Sequence, residues 1–316
     1  MKKRILGKSS LIVSPIAFGA NVFGWTLDEK ESFYMLDDFI DAGFNFIDTA
    51  DTYSKWVAGN KGGESETIIG KWIKKRKNRE DIIIATKLGG ELGPDEKGLG
   101  ATYIRKAVEA SLKRLQTDYI DLYQAHYDDP DTPQVETMEA FDKLVKEGKV
   151  RFIGASNLSA ARIRSAIELS RENKLAEYVS VQPLYNLYDR EKYETEYADL
   201  VNEYQLGVLP YYSLASGFLS GKYRRDNDLK KSPRGGGVKK YLNDRGMKIL
   251  DALEVIAAKR DASPARIALA WLLHKPGITA PIASATSSKQ FRELIMSSQV
   301  ALSLQEMQFL DQESAF

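Results

Sequence analysis

Four side chains of complementary chemistry fall at or just past the ends of three successive strand-like segments. Asp48 and Tyr53 lie in FNFIDTADTY, Lys87 closes IIIATK, and His126 closes DYIDLYQAH. A carboxylate, a phenol, an ammonium and an imidazole at the same end of neighbouring strands make a proton donor with its tuning groups. A free phenol titrates near ~10 and is a reluctant acid at neutral pH. Bringing it near ~7 requires roughly 4 kcal/mol of differential stabilisation, at about 1.36 kcal/mol per unit. Lys87 is placed for that effect, because a nearby ammonium favours phenolate. Asp48 would keep Lys87 charged in a desolvated pocket, where an unpaired lysine tends to give up its proton. His126 suits a hydrogen bond to a substrate carbonyl, or a proton relay to Tyr53.

Each residue also has a plain structural reading. The chain has 16 tyrosines, most of which must simply pack, and an Asp–Lys pair alone is more often structural than catalytic. The histidine is harder to dismiss, because only two exist. His274 falls near a helix C-terminus, where a cation is favourable in itself; His126 falls at a strand end. Convergence of four such groups is what favours chemistry.

The elements that must position them follow from patterning. After a short hairpin around Gly7 and Lys8, apolar runs rich in β-branched and aromatic residues alternate with amphipathic ones. The strand candidates are 15–19, 44–48, 82–87, 119–126, 151–156, 178–183, 207–212 and 279–284. They are short enough to be strands buried on both faces. Helical patterns span roughly 28–42, 64–76, 101–116, 133–147, 158–171, 190–204, 246–274 and 287–297. Ser263 suits an N-cap, Pro264 the first helical position, and Pro276-Gly277 a stop. Repeated strand–helix alternation implies parallel strands with right-handed crossovers. Eight units favour an α/β fold closed into a (β/α)8 TIM barrel with an N-terminal β-hairpin. With no Pro/Ser-rich linker, residues 1–316 read as a single domain. Function in such a barrel belongs to the C-terminal strand ends. On alternation, Asp48 shares a face with Phe44 and Phe46, Lys87 with Ile83 and Ala85, and His126 with Leu122 and Gln124.

Composition narrows the classes. The 45 basic and 44 acidic residues leave a net charge of +1, which opposes nucleic-acid binding driven by overall charge. There are no cysteines, which excludes disulfides and thiol catalysis. Two unclustered histidines make a poor metal set, so no metal is expected. The segment MKKRILGKSSLIVSP lacks the apolar core of a signal peptide, and no apolar run approaches the ~18 residues of a membrane span. The expectation is a soluble cytoplasmic protein that does not engage membranes.

Over nearly its whole length the chain resembles the aldo-keto reductases, in the branch of potassium-channel β subunits and bacterial reductases. The resemblance rests on FGANVFGW, GFNFIDTADTY, GGESETIIGKW, IIIATKLG, DYIDLYQAH, KEGKVRFIGASN, VQPLYN, YYSLASGFLSGKY and SATSSKQFREL, in that order. It implies reversible NAD(P)H-dependent reduction of aldehydes or ketones. Asp48, Tyr53, Lys87 and His126 match the family tetrad, with Tyr53 as general acid and the developing oxyanion between Tyr53 and His126.

No G-x-G-x-x-G follows a strand, so a Rossmann-type cofactor site is absent. The resemblance instead places the nicotinamide carboxamide on Ser156, Asn157 and Gln182, and the ring on Tyr211. It places the phosphates along Ser213, Leu214, Gly217, Ser220 and Lys222, and the adenosine end on Thr286, Gln290 and Glu293. The chain departs from the family at Ser284, Thr286 and Leu294, where Gly, Arg or Ser, and Asn are frequent. NADPH is the expected cofactor, with NADH the alternative. From Lys222 to Arg245 nine Lys/Arg stand against three Asp/Glu. This stretch reads as a solvated loop or as a hinged lid over the phosphates, with Arg234 one contact. Trp25, Trp56 and Tyr127 flank the active segments and suggest an aromatic-walled pocket for a small-molecule carbonyl substrate.

Two other classes remain open. The resemblance to channel subunits allows a cofactor-binding redox sensor with little turnover. A Schiff-base aldolase using Lys87 needs a neutral lysine, which the Asp48 pairing opposes. Protein partners are not legible.

Overall fold

The computed structural model describes residues 2–232 and 235–316. The chain opens with β1 (Arg4–Ile5) and β2 (Ile12–Val13), an antiparallel hairpin with Arg4 opposite Val13. Its turn runs through Gly7 at φ 54°, where a Cβ would stand 2.2 Å from the Val179 carbonyl oxygen. Only glycine meets both demands. The hairpin buries Leu6, Leu11 and Val13 against barrel-interior residues such as Ala17, Phe46 and Leu122, and so plugs one end.

Eight parallel strands follow. They are β3 (Ala17–Gly19), β4 (Phe46–Asp48), β5 (Ile83–Leu88), β6 (Ile120–Ala125), β7 (Val150–Ser156), β8 (Tyr178–Gln182), β9 (Gly207–Val208) and β10 (Ile282–Ala283). They pair in chain order, with β10 beside β3. A parallel bridge from Val208 to Ile278 joins β9 to the chain entering β10, with Thr279 N–H donating to the Val208 carbonyl at 2.9 Å. The outer layer holds α1 (Glu29–Asp41), α2 (Glu64–Arg76), α3 (Ala101–Leu115), α4 (Gln134–Lys146), α5 (Ala160–Asn173), α6 (Ala198–Tyr204), α7 (Asp244–Lys259), α8 (Pro264–His274), α9 (Ser288–Ser297) and α10 (Leu304–Glu313). This is the (β/α)8 barrel expected.

Alternation along each strand builds two cores. Ile83, Ala85 and Leu122 fill the interior, while Ile84 and Tyr123 face the helices. Side-chain caps start the helices: Asp28 and Glu31 form a reciprocal box at α1, and Ser159, Asn243, Ser263, Ser287 and Ser303 each accept from a first-turn amide. Among the described residues no helix is long and apolar enough to cross a membrane.

Several expectations are corrected. Strand β4 begins at Phe46, so Phe44 lies in the outer core with Phe39 rather than on the Asp48 face. The helical pattern over 246–274 is two helices, because Asp261 takes φ 46° and Ser263-Pro264 restarts the chain as α8. The pattern over 190–204 contains a π-helical turn at Tyr193–Tyr197 before α6, and α10 was not foreseen. The basic stretch keeps its described cations largely solvated, as expected, but it is not without structure. Its described residues form 3-10 turns at Asp226–Lys231 and Gly235–Tyr241, with Tyr223, Val238 and Tyr241 buried. Some of its charges are paired: Arg224 with Asp251 and Glu254, Lys231 with Asp228, and Lys240 with Asp189.

Candidate active site

The strand ends bring the four chemical residues together. Asp48 is the last residue of β4, Lys87 lies in β5, His126 follows β6, and Tyr53 reaches back from the loop after β4. Lys87 Nζ donates to Asp48 Oδ2 at 2.8 Å, to the Thr49 carbonyl at 2.7 Å and to the Tyr53 hydroxyl at 2.9 Å. All three ammonium hydrogens are thereby used. Asp48 and Lys87 are fully buried. The second Asp48 oxygen accepts from Gln182 Nε2 at 2.9 Å, and Gln182 also donates to Gln124 Oε1 at 3.3 Å. Tyr53 is half-buried, with its hydroxyl directed onto Lys87. The His126 ring lies edge-on to Tyr53 at 6.1 Å between centroids, with Nδ1 3.4 Å from Thr52 Oγ1.

The electrostatics differ from the simplest expectation. Burial, followed by the Asp48 carboxylate, pushes the Tyr53 phenol well above its ordinary range. Lys87 touches the phenol but does not bring it down in this arrangement, so Tyr53 is held protonated. Burial lowers Lys87, and Asp48 leads the groups opposing that. Burial, then the Lys87 charge, drops His126 well below its usual value. A neutral imidazole fits a hydrogen-bond donor and not a charged relay.

The aromatic candidates also converge. Trp25 and Trp56 meet edge to face at 5.6 Å, Trp56 lies 6.2 Å from Tyr53, and Tyr127 stacks on His126 at 4.4 Å. Trp56 and Tyr127 are about half exposed, so a ring wall opens outward from Tyr53. Tyr212, 55% exposed and packed on Tyr211, belongs to the same rim and was not singled out from sequence. Its only signal was adjacency to Tyr211.

The candidate cofactor residues form two groups. In the first, Asn157 at φ 56° donates to the His126 carbonyl at 2.9 Å and to Ser156 Oγ at 3.2 Å, and accepts from the Tyr211 hydroxyl at 2.9 Å. Ser156 Oγ donates to the Gln182 carbonyl at 3.0 Å, which ties this group to Asp48 through Gln182. The left-handed conformation of Asn157 turns the chain at the strand end, as asparagine tolerates.

The second group is a run of positive-φ backbone at Ala215, Ser216 and Gly217, following Tyr212 and preceding Gly221. The Ala215 and Gly217 N–H groups are spent inside the turn, on the Tyr212 and Leu214 carbonyls at 2.7 and 2.8 Å, so what the run offers an anion is a close approach to the backbone beside a cation. A Cβ on Gly217 would stand 3.4 Å from Lys222 Nζ, so that cation lies over the same backbone. Ser213 Oγ donates to the Pro210 carbonyl and Ser220 Oγ to the Gly217 carbonyl; both brace the turn, next to half-buried Leu214. Thr286 donates to Gln290 Oε1 through both its amide and its hydroxyl. Glu293 is held by Ser263 and Arg266 at the start of α8, where Pro264 also meets Gly221. The turn, through Gly221, and α9, through Glu293, therefore both abut the N-terminus of α8. Glu293 is ion-paired with Arg266 at 2.7 Å. Arg234 lies outside the described residues.

A parallel eight-stranded barrel with this constellation at its C-terminal mouth defines a class. The chain belongs to the aldo/keto reductase family, whose model matches residues 15–314, and it is an oxidoreductase; the family generally uses nicotinamide cofactors. It is 34% identical to an uncharacterized oxidoreductase, YrpG, of Bacillus subtilis, covering 98% of this chain and 95% of that protein. It is 35% identical to a probable voltage-gated potassium channel subunit beta of Oryza sativa, over 93% of this chain and 90% of that one. It is also 35% identical to aldo-keto reductase AFTS1 of Alternaria alternata, over 98% and 90% respectively.

Proposed function

We propose that the protein reduces aldehydes and ketones to alcohols with a nicotinamide cofactor, reversibly, with Tyr53 as the proton donor. One observation carries the reading: the Tyr53 hydroxyl sits 2.9 Å from a fully buried lysine that is itself paired with Asp48. A phenol held protonated is a proton reserve for an oxygen far more basic than itself, the alkoxide that forms when a carbonyl carbon gains hydride. A bound reduced nicotinamide would supply that hydride. Tyr53 gives its proton to the substrate oxygen, and the phenolate left behind is balanced by Lys87 at hydrogen-bond distance. Asp48 holds that ammonium charged. Neutral His126 donates to the same oxygen and orients it, and the Tyr53–His126 gap receives the carbonyl.

The residues fit a dinucleotide. The side-chain N–H groups of Asn157 and Gln182 are spent on His126, Ser156, Asp48 and Gln124, so these residues offer acceptor oxygens to an amide beside the tetrad, and Tyr211 offers a ring next to them. Lys222, lying over the tight turn at 215–217, suits a pyrophosphate, and Thr286 and Gln290 would meet the adenosine end. NADPH is the proposed cofactor. The half-exposed Trp56 and Tyr127 suit neutral aromatic or apolar carbonyls. A second reading is favoured by the relative named as a potassium channel subunit beta: a cofactor-binding subunit with slow turnover. Tryptophan fluorescence titration with NADPH and NADH, followed by oxidation of bound NADPH against an aldehyde panel, tests both. Tight binding with oxidation on aldehyde addition supports the reductase; binding without oxidation supports the sensor; no binding overturns both.

A further inference from the structure

Behind the strand that carries Lys87 lies a second set of buried charges that the proposed chemistry leaves unused. Asp51 is 1% exposed, and neither of its carboxylate oxygens has a hydrogen-bond partner. Its backbone N–H donates to the Lys87 carbonyl at 3.1 Å, fixing it beside that strand end. Glu66 on α2 accepts from Thr86, the residue before Lys87, at 2.6 Å and from Arg114 on α3 at 2.6 Å. The groups acting on or near Asp51 are Glu66 from α2, Arg114 and Tyr103 from α3, Lys87 from β5, Tyr123 from β6 and Tyr127 just past it. Asp51 itself lines a cavity of about 190 Å³, together with Lys61, Glu96, Lys106 and Arg114.

The charge count is uneven. Asp48 and Lys87 cancel, and Arg114 is engaged by Glu66, which leaves the Asp51 carboxylate as the excess. A buried carboxylate with no side-chain donor on it is costly, and packing alone gives no reason for one here.

We propose that Asp51 is a positioning residue for the reduction: a second carboxylate, acting on Lys87 from behind the strand, that helps keep the ammonium charged while Tyr53 gives up its proton. The inference rests on the reductase reading above. After Asp48, Asp51 and Glu66 are the groups that oppose the loss of the Lys87 proton caused by burial. Burial, then Glu66, pushes the Asp51 carboxyl itself well up. It is therefore neutral at low pH, ionises as pH rises, and then raises the hold of Lys87 on its proton. The alkaline limb of turnover, where the Lys87–Tyr53 pair loses its proton, lies higher in the parent than it would with a neutral side chain.

Asp51→Asn keeps shape and removes charge. The alkaline limb of kcat/KM is expected to move down by about one pH unit, the order for a single charge felt across a strand. Carbon–nitrogen NMR of lysine-labelled protein, with the Lys87 signal identified by Lys87→Arg, follows the ammonium directly and is expected to shift in the same direction. A folded variant with unmoved Lys87 titration and an unmoved limb overturns the inference, as does a fall in kcat with an unchanged profile. A shifted Lys87 titration in a protein whose parent reduces no carbonyl upholds the coupling and sinks the reductase reading alone. Should Asp51→Asn fail to fold, Asp51→Ala, which removes the carboxylate altogether, carries the same expectations.

Discussion

Asp48→Asn removes one charge from the centre of the site while keeping its shape. Lys87 would retain the Thr49 carbonyl and the Tyr53 hydroxyl, at 2.7 and 2.9 Å, and an amide oxygen in place of the carboxylate. What is lost is the countercharge of a fully buried ammonium. Breaking such a pair costs about 3–5 kcal/mol, and the retained hydrogen bonds place this case near 3. The lysine limits the damage by releasing its proton. Burial already lowers Lys87 in the parent, and the substitution removes the leading group that opposes it, so the folded pKa falls further. The unfolded lysine titrates near ~10.4. Between those two values the unfolded chain binds the extra proton, so the variant gains stability as pH rises. Its deficit against the parent is therefore largest near neutrality and shrinks toward pH ~10. Urea unfolding, followed by the fluorescence of the four tryptophans across the neutral to alkaline range, measures it. A deficit below about 1 kcal/mol at neutral pH, or one independent of pH, refutes the reasoning, since no buried pair would then have been broken.

Three further outcomes are expected. Asn157→Ala and Gln182→Ala should each weaken nicotinamide positioning by about 1–3 kcal/mol in kcat/KM or cofactor affinity, and unchanged kinetics in the double variant would leave both as loop ties. His126 is held well below its ordinary pKa by burial, so the unfolded chain takes up the proton first and stability falls as pH drops through ~6.5. His126→Asn should remove roughly 1–2 kcal/mol of that acid-side loss in urea titrations, and parallel losses in parent and variant would contradict this. NADPH should bind more tightly than NADH, by a margin that shrinks with salt, because exposed charges are screened within ~10 Å at 0.1 M. Lys222→Met should weaken both cofactors alike, because the pyrophosphate is common to them, and equal dissociation constants of the parent for the two at low salt would end the NADPH preference.

What was legible depended on whether a residue acts through its own type or through its neighbours. Asp48, Lys87 and His126 stand at strand ends marked by short apolar runs, and two-residue alternation directs them to one lumen. The Ser263-Pro264 restart was legible as punctuation, yet the apolar period on both sides hid the break at Asp261, whose positive φ leaves no trace in hydropathy. The stretch from Lys222 to Arg245 looked unstructured because the buried anchors Tyr223, Val238 and Tyr241 are few among its charges, and the partners of Arg224 and Lys240, namely Asp251, Glu254 and Asp189, lie on distant segments. Gln124, which braces Gln182 and through it Asp48, was visible only as a face-mate of His126. Glu66, Arg114 and Asp51 lie far enough apart in sequence that only the packing of α2 and α3 on the barrel joins them. The direction of the Tyr53 shift was missed for a related reason: burial of the phenol is a property of the closed barrel, and no local spacing reports it.

The most direct test follows the transferred atoms. NADPH carrying deuterium at the reactive nicotinamide carbon, mixed with the parent protein and an aromatic aldehyde, should yield an alcohol with one deuterium on the carbinol carbon. With Tyr53→Phe, cofactor binding should persist while formation of that alcohol slows by roughly 10²–10⁴-fold, the usual worth of a general acid. Transfer of no deuterium by the parent, or transfer at the parental rate by the phenylalanine variant, contradicts the assignment of Tyr53 and the chemistry built on it.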